Sequence, residues 1–280
     1  MVAPSGERYW GRFGAAGLLA VDPGRGILLQ QRAEQSHHGG TWALPGGARH
    51  AGESALDGAF REAAEEAGVP AGSVAPRLVS LLDLGFWSYT TVVGDVTTPF
   101  EPVIGDWESL ALAWVPAEEV ADRPLLPAFG RAWPRLRGLL EVRPVVVVDA
   151  ANVIGSVPDG WWRDRAGAAR RLLGRLADLA VRGVAAADLG LTEDRWFPEF
   201  VVVVEGAART VADPGAGRVS VCRAPGSGDD EIVTQAARLV AAGRTVTVVT
   251  SDRGLTDRVV GAGAGVRKAG WLLGILDEAS

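Results

Sequence analysis

Residues 47–69 read GARHAGESALDGAFREAAEEAGV, and this stretch decides the fold of the first part of the chain. It fits the pattern G-x5-E-x7-R-E-U-x-E-E-x-G-U, where U is aliphatic. Ser54 is a favourable N-cap and Gly68 a favourable C-terminal stop, which predicts a helix over roughly residues 55–67. An apolar stripe at helical spacing gives this helix a core face, formed by Leu56, Phe60, Ala63 and Ala67.

A second face of the predicted helix is acidic. Glu62, Glu65 and Glu66 stand at i, i+3 and i+4, so their carboxylates project together. Three carboxylates held close repel one another unless a cation lies between them. Because oxygen-only ligands suit Mg²⁺ or Mn²⁺, and such ions share their coordination with phosphates, the pattern favours a metal site for a phosphorylated ligand.

The segments around the helix complete this unit. Residues 42–47 (WALPGG) predict a strand end and a tight turn, in which Gly46 and Gly47 allow the backbone to approach a ligand closely. Residues 26–32 (GILLQQR) predict a strand that ends at Arg32. Residues 111–116 (ALAWVP) predict a late strand followed by a short helix.

These motifs resemble those of the Nudix hydrolase family. The seven fixed letters of the box are present, at Gly47, Glu53, Arg61, Glu62, Glu65, Glu66 and Gly68, whereas Ala63 is smaller than usual. The resemblance implies an α/β/α sandwich with a mixed sheet and Mg²⁺- or Mn²⁺-dependent cleavage of a nucleoside diphosphate derivative. It makes Glu65 and Glu66 the strongest metal ligands, with Glu62 and Gly47 beside them. The alternative is that the acidic face is simply solvated surface.

The same resemblance implies roles for two further residues of the box. Arg61 would hold Glu65, one helical turn away, by a charge-assisted hydrogen bond. Glu53 would complete the metal shell or assist as a base. Glu108, in a later loop, is an additional carboxylate candidate, and the general base stays open.

Composition sets broad limits. The chain has 280 residues, 48% of them hydrophobic, which indicates a globular protein of two domains without a membrane span. A single cysteine, Cys222, excludes a disulfide framework and favours the cytoplasm. The net charge of −6 lies entirely in residues 1–142, so neither half has the basic excess typical of nucleic-acid binders.

We predict a boundary after residue 142, with residues 143–280 forming a second α/β domain. Strand-like runs at 145–149, 200–205, 219–223 and 245–250 alternate with helical segments at about 163–181 and 229–242. A further helix is predicted over 130–142, kinked or started by Pro134. Alternation of this kind predicts a mainly parallel sheet.

Acidic residues follow the strands of this second domain. Asp149 ends the first strand, Asn152 follows it, Asp229 and Asp230 open a helix, and Asp252 ends the last of these strands. Since functional groups gather beyond the carboxyl ends of parallel strands, these side chains predict a site for Mg²⁺ or Mn²⁺. They could instead be helix caps and charges that favour helix N-termini.

The second half resembles the NYN family of PIN-like ribonucleases. The matching segments are VVVVDAANVIG, SGDDEIV and VTVVTSDRGL. The resemblance implies a metal site at Asp149, Asn152, Asp230 or Asp229, and Asp252, with RNA as substrate. A degenerate or purely ligand-binding version of the fold is the alternative.

Several side chains have both a functional and a structural interpretation. Arg32 could bind a substrate phosphate, or it could be a surface residue. Trp42 could stack on a base, although core packing is the more common role. Trp161 and Trp162 could form a stacking platform for RNA, although burial against the sheet is favoured. The nearby arginines, at 163, 165, 170, 171 and 175, could form a basic patch or a solvated helix face.

Three functional hypotheses remain from the sequence. The first is a pyrophosphohydrolase acting on a nucleotide or on the 5′ end of RNA. The second is a ribonuclease in the C-terminal half, and the third is a non-catalytic nucleotide sensor, against which the intact glutamates argue. The substrate and the oligomeric state are not specified by the sequence.

Overall fold

The computed structural model describes residues 10–36, 38–158, 160–215 and 217–278. The chain divides into two compact units. The first extends to Leu140 and includes Thr192–Arg195, and the second contains Glu141–Leu191 and the chain from Trp196 onward. The boundary predicted from sequence follows residue 142, whereas this division follows Leu140. No helix among the described residues is long and apolar enough to cross a membrane.

The first unit combines a mixed sheet with two helices. Its strands are β1 (Ala15–Asp22), β2 (Gly26–Arg32), β3 (Trp42–Ala43), β4 (Gly46–Ala48), β5 (Val74–Asp83), β6 (Ser88–Val96) and β7 (Ser109–Val115). Its helices are α1 (Ala55–Ala67) and α2 (Pro127–Leu139), with a 3-10 turn at Val120–Asp122. The predicted mixed α/β architecture is therefore confirmed.

Strand β1 is the centre of this sheet. It pairs antiparallel with β2 and β4 and parallel with β6. Strand β2 pairs antiparallel with β3 and β7, while β5 pairs antiparallel with β6. The β1–β4 pairing places Gly46 and Gly47, which the sequence predicted as part of a tight turn, inside β4 and opposite Gly17 and Ala16 of β1.

Helix α1 has the predicted bounds. The Ser54 side chain accepts a hydrogen bond from the Asp57 N–H at 3.0 Å, and Gly68 ends the helix with φ of 63°. A left-handed residue is strained unless it is glycine, so this position fixes the helix end. The face formed by Ala59, Ala63 and Ala67 packs on β1, β2 and β6, and its small side chains let the helix approach the sheet closely.

Helix α2 differs from its prediction in position. It begins at Pro127 and ends at Leu139, with Pro134 inside it rather than at its start. Pro127 lies in the first turn, where its missing N–H costs nothing. Phe129, Trp133 and Leu136 anchor the helix in the core.

The second unit is built on a parallel sheet. Its elements are β8 (Pro144–Asp149), α3 (Ala150–Gly155), α4 (Arg165–Arg182), β9 (Val184–Ala185), α5 (Ala186–Leu189), β10 (Arg195–Trp196, at the division between the units), β11 (Glu199–Val204), β12 (Val219–Arg223), α6 (Gly228–Ala241), β13 (Thr245–Val249), α7 (Arg253–Gly261), β14 (Gly265–Arg267) and α8 (Ala269–Asp277). Short 3-10 helices occupy Trp161–Arg163 and Gly206–Thr210.

The order of strands explains where acidic residues meet. The sheet runs β12-β11-β8-β13-β14, and these neighbouring strands pair in parallel. Strand β8 is therefore central, and its valines at 145–148 are fully buried. Because β11, β8 and β13 are adjacent and parallel, the residues at their carboxyl ends share one edge.

Candidate functional site

The acidic box of the first unit is organised by one arginine. Arg61 donates from Nε and Nη2 to the two oxygens of Glu53, at 2.8 and 3.0 Å. Its Nη1 donates to both Glu62 and Glu65 at 2.9 Å, and Nη2 also donates to the Ala48 carbonyl at 3.0 Å. A single guanidinium therefore joins three carboxylates of the box to the backbone of β4.

Glu53 is fixed from both sides. Besides Arg61, the backbone N–H of His50 donates to its Oε2 at 2.9 Å. The hydrogen bonds from Arg61, followed by that from His50, lower the pKa of Glu53 to about 2. Reciprocally, Glu53 raises the pKa of Arg61. Glu53 is thus a permanently charged anchor for Arg61.

Glu66 lies apart from this ion pair and is buried, with 5% of its surface exposed. Its Oε2 accepts a hydrogen bond from the Gly46 N–H at 2.7 Å, which connects α1 to the first residue of β4. Burial first, and then the charges of Glu62 and Asp106, raise the pKa of Glu66 to about 8. Burial also raises the pKa of Glu62.

Two polar residues that sequence reasoning missed support Glu66. Gln30 is fully buried in β2 and donates to Ser109 Oγ at 2.7 Å. Hydrogen bonding from Gln30 opposes the rise in the pKa of Glu66, and its Oε1 has no partner among the described residues. A glutamine inside an aliphatic strand was the sequence signal that could have identified it.

The loop before β7 supplies the other missed residue. Asp106 is the loop carboxylate whose charge acts on Glu66, rather than the suggested Glu108. Asp106 Oδ1 accepts from the Glu108 N–H at 3.0 Å, and the Gly105 N–H donates to the Glu66 carbonyl at 3.1 Å. These bonds fix the loop beside the end of α1.

The structure gives different environments to three other predicted site residues, Gly47, Arg32 and Trp42. A Cβ added at Gly47 would lie 2.6 Å from Glu62 Oε2, so a side chain there would displace the Glu62 carboxylate. Arg32 lies at the β-bulge that ends β2, and its charge acts on Tyr89 together with those of Glu62 and Glu66. Trp42 is only 7% exposed, and the Arg123 guanidinium covers its ring at 4.8 Å. This placement favours packing rather than base stacking for Trp42.

Known proteins resemble the chain over this region. The family model described as "NUDIX domain" matches residues 11–136. A Mycobacterium tuberculosis protein named "Putative 8-oxo-dGTP diphosphatase 3" is 46% identical over 147 residues, which cover 49% of this chain and 67% of that protein. The chain belongs to the Nudix hydrolase family. It is accordingly a hydrolase that acts on diphosphate bonds.

Two further relatives match the Nudix unit. A Bifidobacterium longum protein named "Nucleoside triphosphate pyrophosphatase/Nudix hydrolase fusion protein" is 39% identical over 144 residues, covering 49% of this chain and 30% of that protein. The crystal structure of RenU, a Nudix hydrolase from M. smegmatis, is 45% identical, with a TM-score of 0.45. The matched region covers 49% of this chain and 91% of RenU.

Nudix hydrolases generally use divalent metals such as Mg²⁺ or Mn²⁺. Across residues 10–36, 38–158, 160–215 and 217–278, no three His, Cys, Asp or Glu side chains converge into a metal-binding group. In the Nudix unit, hydrogen bonds keep the carboxylates from converging, because Arg61 donates to Glu62 and Glu65 while the Gly46 N–H donates to Glu66. The donor chemistry nevertheless fits, because the carboxylates of the box offer only oxygen atoms, which suit these ions.

The second unit carries an acidic cavity at the predicted sheet edge. Its volume is about 200 Å³, and its polar lining consists of Asp149, Asn152, Glu205, Asp229 and Asp252. Asp149 is 7% exposed and accepts hydrogen bonds from the Asn152 N–H at 3.0 Å and Thr250 Oγ1 at 2.9 Å. Burial first raises the pKa of Asp149, and the charges of Asp229 and Glu205 raise it further.

The other acidic residues considered in this unit lie either in the cavity or on the surface. Asp229 lines the cavity, and burial followed by the charge of Asp252 raises its pKa. Asp230 does not line the cavity: it pairs with Arg258 at 2.6 Å on the surface. Glu205, which sequence reasoning missed, accepts from the Gly228 N–H at 2.8 Å. Its position directly after the valines of β11 was the available signal.

Proposed function

We propose that the Nudix unit hydrolyses a nucleoside triphosphate or a related nucleoside diphosphate derivative, with Mg²⁺ or Mn²⁺ as its cofactor. The observation that carries this proposal is the cluster in which Arg61 gathers Glu53, Glu62 and Glu65 next to the buried Glu66. This arrangement concentrates carboxylate oxygens beside the glycines of β4, where a phosphate chain could approach the backbone.

The chain's residues take distinct roles in this proposal. Glu62, Glu65 and Glu66 would hold the metal, which when bound neutralises phosphate charge and activates water. Arg61 would release Glu62 and Glu65 to the metal while keeping its hydrogen bonds to Glu53. Glu53 would act as a positioning residue, because both of its oxygens accept hydrogen bonds from Arg61.

Arg32 would bind a substrate phosphate. Its charge acts on Tyr89 along with those of Glu62 and Glu66, which indicates that all four groups border the same region. A planar guanidinium forms paired hydrogen bonds with phosphate oxygens, and lysine at this position would lose that geometry.

The first substrate to test is 8-oxo-dGTP, because the mycobacterial relative carries that name. The panel should also contain dGTP, ADP-ribose, a dinucleoside polyphosphate and triphosphorylated RNA, each with purified full-length protein and Mg²⁺. Phosphate-containing products would be separated by ion-exchange chromatography. We expect turnover that requires Mg²⁺ and that discriminates among these compounds.

Glu66→Gln is the decisive variant. It keeps the size of the side chain and removes its charge, so we expect turnover to fall by at least about a hundredfold. Glu118→Gln, an exposed change elsewhere in the unit, is the matched control and should retain activity. Tight nucleotide binding without turnover by the wild type would instead support a nucleotide sensor.

A second candidate function belongs to the other unit. We propose that its acidic cavity binds Mg²⁺ or Mn²⁺ and cleaves phosphodiesters in RNA, as the NYN-like segments imply. The supporting observation is that Asp149, Glu205 and Asp252, from three adjacent parallel strands, line one cavity with Asp229. Cleavage of single-stranded RNA that survives Glu66→Gln and disappears in Asp149→Asn would assign the activity to this cavity.

A further inference from the structure

Two adjacent tryptophans lie on the surface of the second unit. Trp161 and Trp162 form a short 3-10 helix with Arg163, and none of the three is buried. Trp162 is 58% exposed. The expectation that burial against the sheet would remove these rings from solvent is therefore wrong for Trp162. The 3-10 segment follows a turn at Gly160 and ends at Asp164, so there is no long helix here to carry the pair into the core.

The geometry of the pair is suited to stacking. The centroids of the two indole rings are 6.2 Å apart, and the ring planes are nearly perpendicular, at 83°. Trp161 lies near the end of α3, since a Cβ built on Gly155 would be 3.8 Å from its Cζ2. The Arg165 guanidinium lies 5.3 Å from the centre of the Trp161 ring. Trp162 thus stands beside a ring that lies near both α3 and the Arg165 guanidinium.

The backbone around the pair is also held in place. The Arg163 N–H donates to the Gly160 carbonyl at 3.0 Å, and the Asp164 side chain caps α4 by accepting from the Gly167 N–H at 2.8 Å. The ring of Trp162 is therefore presented by an ordered turn, which lowers the entropic cost of binding a flat ligand.

The charge next to the pair is positive. Exposed arginines follow the rings along the chain at positions 163, 165, 170 and 171. Helix α4 contains five arginines and a single acidic residue, Asp178, although the whole unit has no net charge. Aromatic rings beside exposed guanidinium groups are the combination that binds single-stranded nucleic acid, since bases stack on the rings and phosphates pair with the arginines.

The pair is also close to the acidic cavity of the same unit. Helix α3 starts directly after Asp149, and its first turn supplies Ala151 and Asn152 to the cavity lining. Its other end, at Gly155, lies near Trp161. Six residues of helix span about 9 Å, so a strand bound at the tryptophans would need only a short path to reach the cavity.

We propose that Trp161, Trp162, Arg163 and Arg165 form a stacking ledge that binds a single-stranded nucleic acid, with a base on Trp162 and phosphates on the two arginines. The ledge is a binding site separate from both acidic clusters. It requires no hydrolysis by either unit, so it stands independently of the activities proposed above.

The test uses the full chain in EDTA, where metal-dependent cleavage is suppressed. A short oligouridylate with a 3′ fluorophore and a 5′ hydroxyl is the probe, because it contains no diphosphate for the Nudix unit. Fluorescence anisotropy would measure its affinity, with oligothymidylate and an RNA duplex in parallel. We expect single strands to bind more tightly than the duplex, and comparison of the two oligomers separates RNA from DNA preference.

Trp162→Ala should weaken single-strand binding by about 5- to 100-fold, the range found when one stacking residue is removed. Trp10→Ala, which removes an exposed tryptophan of the first unit, is the matched control and should leave the affinity unchanged. Circular dichroism would show that both variants retain their folds.

Arg163→Ala and Arg165→Ala provide an independent measurement. Each phosphate contact that is lost should reduce the slope of log affinity against log salt concentration by about 0.7. The proposal is overturned if the wild type binds no single strand at low salt, or if Trp162→Ala binds as well as Trp10→Ala. It is also overturned if Trp162→Ala changes only the sedimentation of the protein, because the rings would then serve self-association.

Discussion

The carboxylates of the Nudix unit gather around an arginine, whereas those of the second unit gather around the first turns of helices. In the Nudix unit, Arg61 contacts Glu53, Glu62 and Glu65. In the second unit, Asp149 caps α3, Asp252 caps α7, and Glu205 accepts from Gly228 at the start of α6.

This difference determines how each cluster carries its charge. A guanidinium cancels negative charge directly, and it lowers the pKa of Glu53 to about 2. Burial raises the pKa values of Asp149 and Asp229, and the backbone hydrogen bond to Asp149 offsets only part of this rise. A metal bound in the Nudix unit would have to compete with Arg61, whereas Asp149 is held by the Asn152 N–H and the Thr250 hydroxyl.

The largest effect is expected from Arg61→Ala, which removes the centre of the first cluster. Three carboxylates would lose their shared partner, and Glu53 would remain largely buried with its charge uncompensated. We expect the Nudix unit to lose about 3 kcal/mol of stability and nucleotide hydrolysis to fall at least about a hundredfold. Urea denaturation and steady-state kinetics would measure both quantities.

Arg61→Lys is the informative companion to this variant. Lysine restores a positive charge but cannot form the paired bonds to Glu53 together with those to Glu62 and Glu65. We expect intermediate stability and activity. Wild-type kinetics in both variants would contradict the role of Arg61 as organiser of the cluster.

A smaller effect is expected when pH changes the stability of the metal-free protein. The folded pKa of Glu66 is raised to about 8 from 4.5, so its contribution to stability is present below pH 4.5 and is lost as pH rises through 8. Glu53 has the opposite sign: its contribution is present above pH 4.5 and is lost as pH falls through about 2. Glu53 does not titrate between pH 5 and 8, so stability should fall across this range as Glu66 ionises.

Glu66→Gln isolates this dependence. The amide does not titrate, so the decline between pH 5 and 8 should become shallower in EDTA, as followed by hydrogen exchange of peptides from α1 and β4. An unchanged pH profile in this variant would show that another group causes the decline. The second unit serves as an internal control, since its peptides should respond equally in both proteins.

The sequence predicted α1 more completely than the site that α1 carries. Ser54 and Gly68 bound the helix through local hydrogen bonds and backbone conformation, which depend on neighbours in the chain. The burial of Glu66 depends instead on β2 and on the loop at Asp106, which are distant in sequence. Helical spacing placed Glu66 on the acidic face, but it could not show that this position faces Gln30 and Gly46.

The second unit shows the same limit in another form. The alternation of strands and helices predicted the parallel sheet, and strand ends predicted Asp149 and Asp252 at one edge. Choosing between Asp229 and Asp230 required the direction of each side chain in the first turn of α6. Asp230 points to Arg258 on the surface, which no local pattern reveals.

The smallest effect is expected on metal binding when two aspartates of the second unit are substituted in turn. Asp149→Asn removes a carboxylate from the cavity, whereas Asp230→Asn removes one from an exposed ion pair. We expect Asp149→Asn to weaken Mg²⁺ or Mn²⁺ binding by at least about tenfold, equivalent to about 1.4 kcal/mol. Asp230→Asn should leave metal binding unchanged and alter stability by less than about 0.5 kcal/mol, because exposed ion pairs contribute little.

Thermal unfolding at increasing Mg²⁺ would measure this difference, since a ligand of the folded state stabilises it according to its concentration and affinity. Asparagine can still accept the hydrogen bond from the Asn152 N–H through its oxygen, and its amide NH2 can donate to the Thr250 hydroxyl, so Asp149→Asn should fold normally in EDTA. Equal Mg²⁺ responses in the two variants would mean that the helix N-termini alone satisfy the carboxylates of the cavity. The contrast with the Nudix unit would then lie in the kind of partner and not in the need for a metal.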